Sequence, residues 1–394
     1  MPERNEVAVV GGGPAGALLA ERLAVAGRAV TLYEQQPGWE KPCGGGLTDK
    51  ALRRFPFLAD AATARNRVSE CELTTPAGRT LMLPLDREIH IFSRRVLHEM
   101  LLERARSAGA AVVAERVVAC RAEAGGWRLE LRGGGSALVA AVCNATGARN
   151  PLRSALPGPL GAGEWMATAG YYVPAAGLPW PARRMVIRFL PGLDGYIWSF
   201  PRTDHASIGI CGSLGTPSTA ELRRRLEQWM TEMGVAWQGA PLYAHLLPAP
   251  GGGLGRAQLA GAAPHPWALV GDAAGLVDPI TGEGLYYALG SAELLAEAMA
   301  AAPSLADAPA AYLARLRREL IPELDAAARL ARRFYHGRFL GQAVLERMVG
   351  FGQRSGSFRR LLCDLFSGAQ GYRGLRGRLY RNLLPSLVQI AAAG

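Results

Sequence analysis

The chain has 394 residues, a formal net charge of +11 and 49% hydrophobic residues, enough to bury a sizeable core in more than one domain. Its cysteines (Cys43, Cys71, Cys120, Cys143, Cys211, Cys363) are scattered, which argues against a disulfide framework or a metal site and fits a reducing, cytoplasmic compartment. The first expected strand begins near Val7, leaving no room for a signal peptide, and no run of 18 residues is both apolar and uncharged, so no membrane-spanning helix is expected.

The first motif is an apolar strand, Val7–Val10, running into Gly11-x-Gly13-x-x-Gly16 and then a helix with Pro14 near its first turn and Gly27 at its end. A second strand, Ala29–Glu34, closes a βαβ unit. The three glycines allow a tight turn, close backbone approach to a pyrophosphate and close helix–strand packing, with Ala15 inside the same turn. Glu34 stands where a carboxylate accepts hydrogen bonds from a ribose diol. This constellation predicts dinucleotide binding.

Next comes Lys41-Pro-Cys-Gly-Gly-Gly-Leu47. Its glycines either let backbone approach a flat ring or simply make a flexible loop. Cys43 either faces the substrate and helps supply a proton or only shapes the pocket. Lys41 and Lys50 are the chain's two lysines, so a compact ammonium is singled out where arginine is otherwise used. Hairpins are predicted around Pro76–Gly78 and at the glycines of Leu129–Val139. Between them, Phe92–Leu101 leads into a helix. Residues 156–264 are rich in strand formers and suggest an antiparallel sheet, with a helix near Thr219 to Gly234. There Tyr196, Trp198 and Phe200 alternate along a strand and share one face; they wall an apolar channel or belong to ordinary core. His205 and His265 are single loop residues without ligand spacing and receive no role.

The stretch Trp267–Tyr286 completes the site opened at Gly11. Ala268–Val270 reads as a short buried strand that delivers Gly271 and Asp272 to a loop, with Asp272 placed to bond a polyol chain. Pro279, Gly282, Glu283 and Gly284 lead into a helix running to about Ala301. Its N-terminus offers unmet N–H groups and positive dipole to an anion, which suits the anionic end of a reduced flavin better than NAD. Beyond it the charge is concentrated: residues 311–394 hold fifteen Arg, no Lys and five acids. Ala328–Leu340, Phe358–Phe366 and Leu375–Leu384 interleave Arg with bulky apolar residues. They are either helices lying on an anionic bilayer or a helical cap on the flavin domain with solvated arginines. No motif supports nucleic acid as partner.

These motifs resemble those of the FAD-dependent geranylgeranyl reductase family, within the larger group of flavoproteins sharing the p-hydroxybenzoate hydroxylase fold. Gly11–Glu34 and Gly271–Gly284 mark the larger group; Lys41–Leu47 and Gly195–Pro201 resemble elements of the reductases, and Arg94 stands where the group places an arginine. The resemblance implies an α/β fold: a Rossmann-like FAD-binding domain, an inserted antiparallel-sheet substrate domain lying over the flavin, and a C-terminal helical region. The expected divisions are 1–155 (with a hairpin excursion at about 56–93), 156–264, 265–310 and 311–394. Two positions depart from the pattern. Thr146 replaces an Asp common in the larger group, and Gly209-Ile-Cys211-Gly212 replaces Gly-x-Gly.

The resulting expectation is a flavin-dependent enzyme that reduces carbon–carbon double bonds of an isoprenoid chain, with NADPH or NADH as electron donor. Cys43 and Tyr196 are the candidate catalytic residues. Gly11, Gly13, Ala15, Gly16, Glu34, Lys41, Gly44, Gly45, Arg94, Gly271, Asp272, Pro279, Gly282, Glu283 and Gly284 are the expected FAD contacts, and Trp198 and Phe200 the substrate wall. The alternatives are a monooxygenase of the same fold, a halogenase (disfavoured because Trp-x-Trp-x-Ile is missing) and a non-catalytic lipid carrier. A cytoplasmic protein is expected, either with a peripheral hold on an anionic membrane or free of it. The sequence leaves the oligomeric state open.

Overall fold

The computed structural model describes residues 6–381 except 61, 62, 216, 340, 376 and 380. β1 (Val7–Val10) and β2 (Val30–Tyr33) flank α1 (Pro14–Val25). Short β3 (Gly46–Leu47) and α2 (Asp49–Arg54) precede the hairpin of β4 (Asn66–Thr74) and β5 (Thr80–Ile91), which turns through Gly78. Then come α3 (Arg94–Ser107), β6 (Ala111–Val113), a three-stranded ribbon of β7 (Val117–Glu123), β8 (Gly126–Leu131) and β9 (Ser136–Val139), and β10 (Ala141–Asn144). β11 (Trp165–Pro174), β12 (Arg184–Phe189), β13 (Tyr196–Pro201), β14 (His205–Ser213), α4 (Thr219–Glu232) and β15 (Leu242–Pro248) form the middle of the chain. β16 (Ala260–Gly261), β17 (Trp267–Leu269), α5 (Leu285–Ala301), α6 (Ala308–Glu319), α7 (Ile321–His336), α8 (Val344–Arg354) and α9 (Gly356–Phe366) follow.

These elements make two compact units. The first comprises Met1–Lys41, Arg94–Ala162 and Leu247–Asp325. Its sheet has the order β16-β17-β10-β1-β2-β6, parallel except for β16. The apolar runs of β1 and β10 are buried along their whole length, as strands covered on both faces must be. α1 packs on α3 and α5. Gly16 makes its approach to β1 possible, because a Cβ there would stand 1.8 Å from the Gly11 carbonyl oxygen. α6 is pinned by the buried Tyr312, whose hydroxyl donates to the Leu269 carbonyl at 2.9 Å.

The second unit comprises Pro42–Ser93, Gly163–Leu246 and Ala326–Gly394. Its eight-stranded sheet has the order β15-β11-β14-β13-β12-β4-β5-β3. β11–β14, β14–β13, β13–β12, β4–β5 and β5–β3 are antiparallel pairs, whereas β4 and β12 run parallel. That pairing joins the hairpin to the middle of the chain, so the segment expected as an excursion of the flavin domain is part of this sheet. Conversely, residues 247–264, expected in the substrate domain, group with the first unit. One face of the sheet carries Tyr171, Val186, Ile197, Ile208 and Ile210 and packs on Leu222, Leu226, Trp229 and Met230 of α4. Each such side chain contributes on the order of 2 kcal/mol by leaving water. Ser218 caps α4 by accepting from the Glu221 N–H at 3.2 Å.

α8 and α9 pack on β5, so this part of the basic region belongs to the second unit. Leu345, Val349, Phe358, Leu361 and Leu362 are buried there. Half of the third expected basic segment, Leu375–Leu384, lies outside the described residues. No helix among the described residues is long and apolar enough to cross a membrane.

Candidate active site

In the first unit the three glycines after β1 have different surroundings. Gly11 takes φ 100°, and a Cβ on it would meet the Ala145 carbonyl oxygen at 2.5 Å; Gly16 is closed by the Gly11 carbonyl. Gly13 has nothing within 4 Å of its Cβ direction. It is the N-cap of α1, with no side-chain hydrogen bond to the helix terminus, so the first-turn N–H groups of Ala15 and Gly16 keep their donor capacity toward this open side. Two glycines serve packing and one leaves room for a ligand.

Glu34, at the end of β2, is buried beside this turn. Its Oε2 accepts from the Gly12 N–H at 2.6 Å and its Oε1 from the Gln36 N–H at 2.8 Å. A carboxylate pinned by two backbone donors still has lone pairs for a ribose diol. Two α3 residues one helical turn apart accompany it. His98 Nε2 stands 3.8 Å from Glu34 Oε2. Burial lowers the His98 pKa, against the pull of Glu34 and with the help of Arg94. Arg94 is 5% exposed, its Nε has no hydrogen-bond partner, and no ion pair involves it among the described residues. A buried guanidinium without an anion is costly, which fits a cofactor bringing a pyrophosphate. The α3 terminus is itself capped by Glu40, which accepts from the N–H groups of Arg94 and Arg95 at 2.6 and 3.1 Å.

The distant half of the motif meets Lys41. Gly271 takes φ 59° and donates its N–H to Ser291 Oγ at 3.0 Å; its Cβ would stand 3.2 Å from Ala15 Cβ. Asp272 then forms an ion pair with Lys41 Nζ at 2.8 Å. Asp272 Oδ1 also stands 3.1 Å from where a Gly284 Cβ would be, so Lys41, Asp272 and Gly284 converge. Thr146, which replaces the group's Asp, donates its hydroxyl to Asn144 Oδ1 at 2.7 Å, and the next residue, Gly147, takes φ 76°. The missing charge is thus replaced by a local polar turn.

Sequence reading assigned no role to Asp278 or His98. Asp278 is 2% exposed; its Oδ1 accepts from the Ile280 and Thr281 N–H groups at 2.8 and 3.3 Å, and its carbonyl from Gly282 N–H at 2.8 Å. It builds the Pro279–Gly284 turn that starts α5, whose N-cap, Gly284, has no side-chain hydrogen bond. The usable signal was Asp-Pro followed by Thr and Gly, a turn-forming string. For His98 it was the four-residue spacing from Arg94.

In the second unit the Cys43 loop is held at three successive residues. The Cys43 carbonyl accepts from Arg202 Nη2 at 2.6 Å. A Gly44 Cβ would lie 2.0 Å from the Phe200 ring. Gly45 takes φ 84° and exchanges backbone contacts with Phe92, whose N–H donates to the Gly45 carbonyl at 3.0 Å. The Phe200 ring thus packs against this loop at Gly44. Cys43 alone among the six cysteines is only partly buried; burial pushes the thiols of Cys143 and Cys211 up to about 12, so these stay protonated and inert. The Gly45 N–H donates to Cys43 Sγ at 3.4 Å.

Tyr196, Trp198 and Phe200 do share one face of β13, the face turned away from the α4 core. The Trp198 ring lies on Gly209, where a Cβ would stand 2.3 Å from it, and Gly209 pairs with Gly170. A Gly170 Cβ would meet Tyr243 Oη at 2.4 Å. The paired glycines let two large rings lie flat on the sheet. The aromatic run continues from Trp198 to Tyr196 (ring centroids 6.2 Å apart), Phe189 (6.1 Å) and Phe334 of α7 (5.5 Å). Cys211, which replaces the pattern's second glycine, is fully buried with its Sγ 3.7 Å from the Tyr196 carbonyl oxygen.

Residues 9–55 match the NAD(P)-binding Rossmann-like domain family. The chain is 30% identical over 369 residues to the menaquinone reductase of Mycolicibacterium smegmatis, covering 86% of this chain and 87% of that one. It is 29% identical over 307 residues to the geranylgeranyl diphosphate reductase of Rhodobacter capsulatus, covering 74% and 73%. Among solved structures, a geranylgeranyl bacteriochlorophyll reductase-like protein from Thermoplasma acidophilum superposes with a TM-score of 0.77 at 21% identity, over 95% of this chain and 98% of that one; that likeness concerns the fold.

Proposed function

The chain belongs to the FAD-dependent geranylgeranyl reductase family, and on that premise we propose that it reduces carbon–carbon double bonds of a polyprenyl chain with electrons from a reduced nicotinamide, NADPH or NADH. The observation that carries this reading is the aromatic face of β13. Tyr196, Trp198 and Phe200 lie away from the α4 core, and Phe200 closes on the loop that presents the one partly exposed thiol. Flat apolar rings beside a proton-bearing group suit an unsaturated hydrocarbon.

Bound in the first unit, FAD would supply the hydride transfer. Glu34 would hold its ribose diol, while the open side of Gly13, the α1 N-terminus and Arg94 would hold its pyrophosphate. The Lys41–Asp272 pair, with Gly271 and the Pro279–Gly284 turn including Gly282 and Glu283, would border the rest of it, next to the unmet donors of α5. An isolated alkene accepts hydride poorly, so the protein's own work is to orient the chain, keep water out and hold a proton at the second carbon. Cys43 Sγ, oriented by the Gly45 N–H, is the proposed proton donor, with Tyr196 as the other candidate.

The test is product mass after incubation with geranylgeranyl compounds and a reduced nicotinamide. A gain of hydrogen pairs is expected, with one nicotinamide consumed per double bond. A gain of oxygen would replace this reading with hydroxylation, and an unchanged substrate would end it.

The same reading gives the basic region a task. Arg329, Arg332, Arg333, Arg354, Arg360 and Arg378 are exposed, whereas Leu345, Val349, Phe351, Phe358, Leu361 and Leu362 of α8 and α9 are buried in the protein. Attachment to an anionic membrane would therefore be electrostatic, at roughly 1 kcal/mol per engaged arginine. Binding to liposomes should rise with anionic lipid and fall with salt; indifference to both would leave the arginines as a solvated surface.

A further inference from the structure

Arg202 is the largest fully buried side chain among the described residues, 1% exposed, and it sits immediately after the aromatic strand. Its Nη2 donates to the Cys43 carbonyl at 2.6 Å, and its Nη1 meets His205 Nε2 at 2.9 Å. Its backbone N–H donates to the His205 carbonyl at 2.7 Å, which closes the turn between β13 and β14. Its guanidinium lies 5.5 Å above the Tyr172 ring. A guanidinium has only donors, so His205 Nε2 must be the acceptor; the ring hydrogen is then on Nδ1 and is donated to Asp204 Oδ1 at 2.8 Å. His205 thus opens β14 instead of lying in a loop, and it has a role that its lack of ligand spacing concealed.

We propose that Arg202, aimed by the His205–Asp204 pair, is the positioning residue that holds the Cys43 loop in its working conformation. The reasons are geometric. Gly44 and Gly45 are fixed by Phe200 and Phe92 through shape and backbone contact, but neither of them restrains the Cys43 peptide. The hydrogen bond from Arg202 does so, and it is charge-assisted, short and shielded from water, which makes it stronger than a neutral one. Arginine pairs here with a carbonyl, a ring nitrogen and an aromatic face at once, a combination that lysine's single ammonium cannot reproduce. Asp204, its side chain 67% exposed, fixes the tautomer from outside, as a carboxylate does for a histidine that acts through its other nitrogen. This assignment rests on the reading of Cys43 as the group facing substrate.

The experiment reads the loop directly. Because the other five cysteines are buried, alkylation of the holoenzyme by iodoacetamide under native conditions, located by peptide mass spectrometry, reports on Cys43. Arg202→Met and His205→Leu should raise its alkylation rate by about tenfold, the effect of losing one hydrogen bond to a charged donor on a local opening equilibrium. His205→Gln, whose amide oxygen accepts from the guanidinium, should restore most of the wild-type protection. Asp204→Asn, at an exposed carboxylate, gives a variant that folds even if Arg202→Met does not, and it should fall between wild type and His205→Leu. Wild-type alkylation rates in His205→Leu and Asp204→Asn would overturn the proposal. Faster alkylation with unchanged reoxidation of reduced flavin by substrate would uphold the positioning role and instead refute Cys43 as proton donor.

Discussion

The two glycine loops of this chain look alike in sequence and differ in what surrounds them. In the first, Gly11 and Gly16 are closed by backbone, while Gly13 faces open space. In the second, Gly44 is filled by the Phe200 ring, and a Cβ on Gly45 would strike the Phe92 carbonyl oxygen at 2.2 Å. The first loop is a cradle with one side left for a ligand. The second is a shelf finished by the protein itself, presenting Cys43 at its edge. A glycine run therefore says that something approaches closely; only the surroundings say whether that is a cofactor or another part of the chain.

The sharpest way to break this comparison is to put a side chain on each loop. Gly13→Val should leave the fold intact, since its Cβ meets nothing, yet weaken FAD retention by more than about a hundredfold, so that the purified protein is colourless with an unchanged far-UV spectrum. Retention of yellow flavin by this variant would remove the cradle. Gly45→Ala should do the opposite. Its left-handed backbone costs about 1–3 kcal/mol for a residue with a side chain, and the contact with Phe92 adds to that. A falling melting temperature in a protein that still binds FAD is expected; an undisturbed one would mean that the shelf is not rigid.

A third prediction separates the loops by chemistry. If the shelf exists to present a proton donor, Cys43→Ser should slow reoxidation of flavin by substrate by about a hundredfold and leave its reduction by nicotinamide near wild type. Stopped-flow traces of the two half-reactions decide this. Equal rates in both would return Cys43 to packing.

Much of the first loop was legible because its logic is local. Gly11, Gly13, Gly16 and Glu34 belong to one βαβ unit, and their spacing alone places them. Asp272 was legible as a strand-end carboxylate, but its ion pair with Lys41 spans 231 positions and has no signature in either segment. The second loop's support is just as remote: the Arg202–Cys43 bond spans 159 positions, and Arg202 follows Phe200-Pro201 with nothing local to distinguish it from a solvated arginine. His205 was passed over for the same reason, since its partners are a neighbouring carboxylate and a buried guanidinium and no metal spacing is involved. That the 56–93 hairpin groups with the second sheet traces to the parallel β4–β12 pairing, a contact that sequence periodicity cannot register.

The smallest effect concerns the far end of the shelf, where Leu47 pairs with His90 across β3 and β5. His90 is 8% exposed, and its Nδ1 accepts from Arg65 Nε at 3.1 Å. Burial, with Arg65 and then Arg67, lowers its pKa to about 4 from the ordinary 6.5. Between those values the folded protein keeps His90 neutral while the unfolded chain takes up a proton, so the unfolded state binds more protons and stability must fall as pH drops through this window. The loss is on the order of 1–3 kcal/mol, complete near pH 4 and negligible above 7. In the first unit burial lowers the His98 pKa as well, against the pull of Glu34. Denaturant melts at pH 7 and pH 5 of wild type and His90→Gln measure the difference. The variant keeps an acceptor for Arg65 but cannot be protonated, and it should lose less stability between the two pH values. Parallel losses in both proteins would show that His90 does not anchor the shelf's pH response.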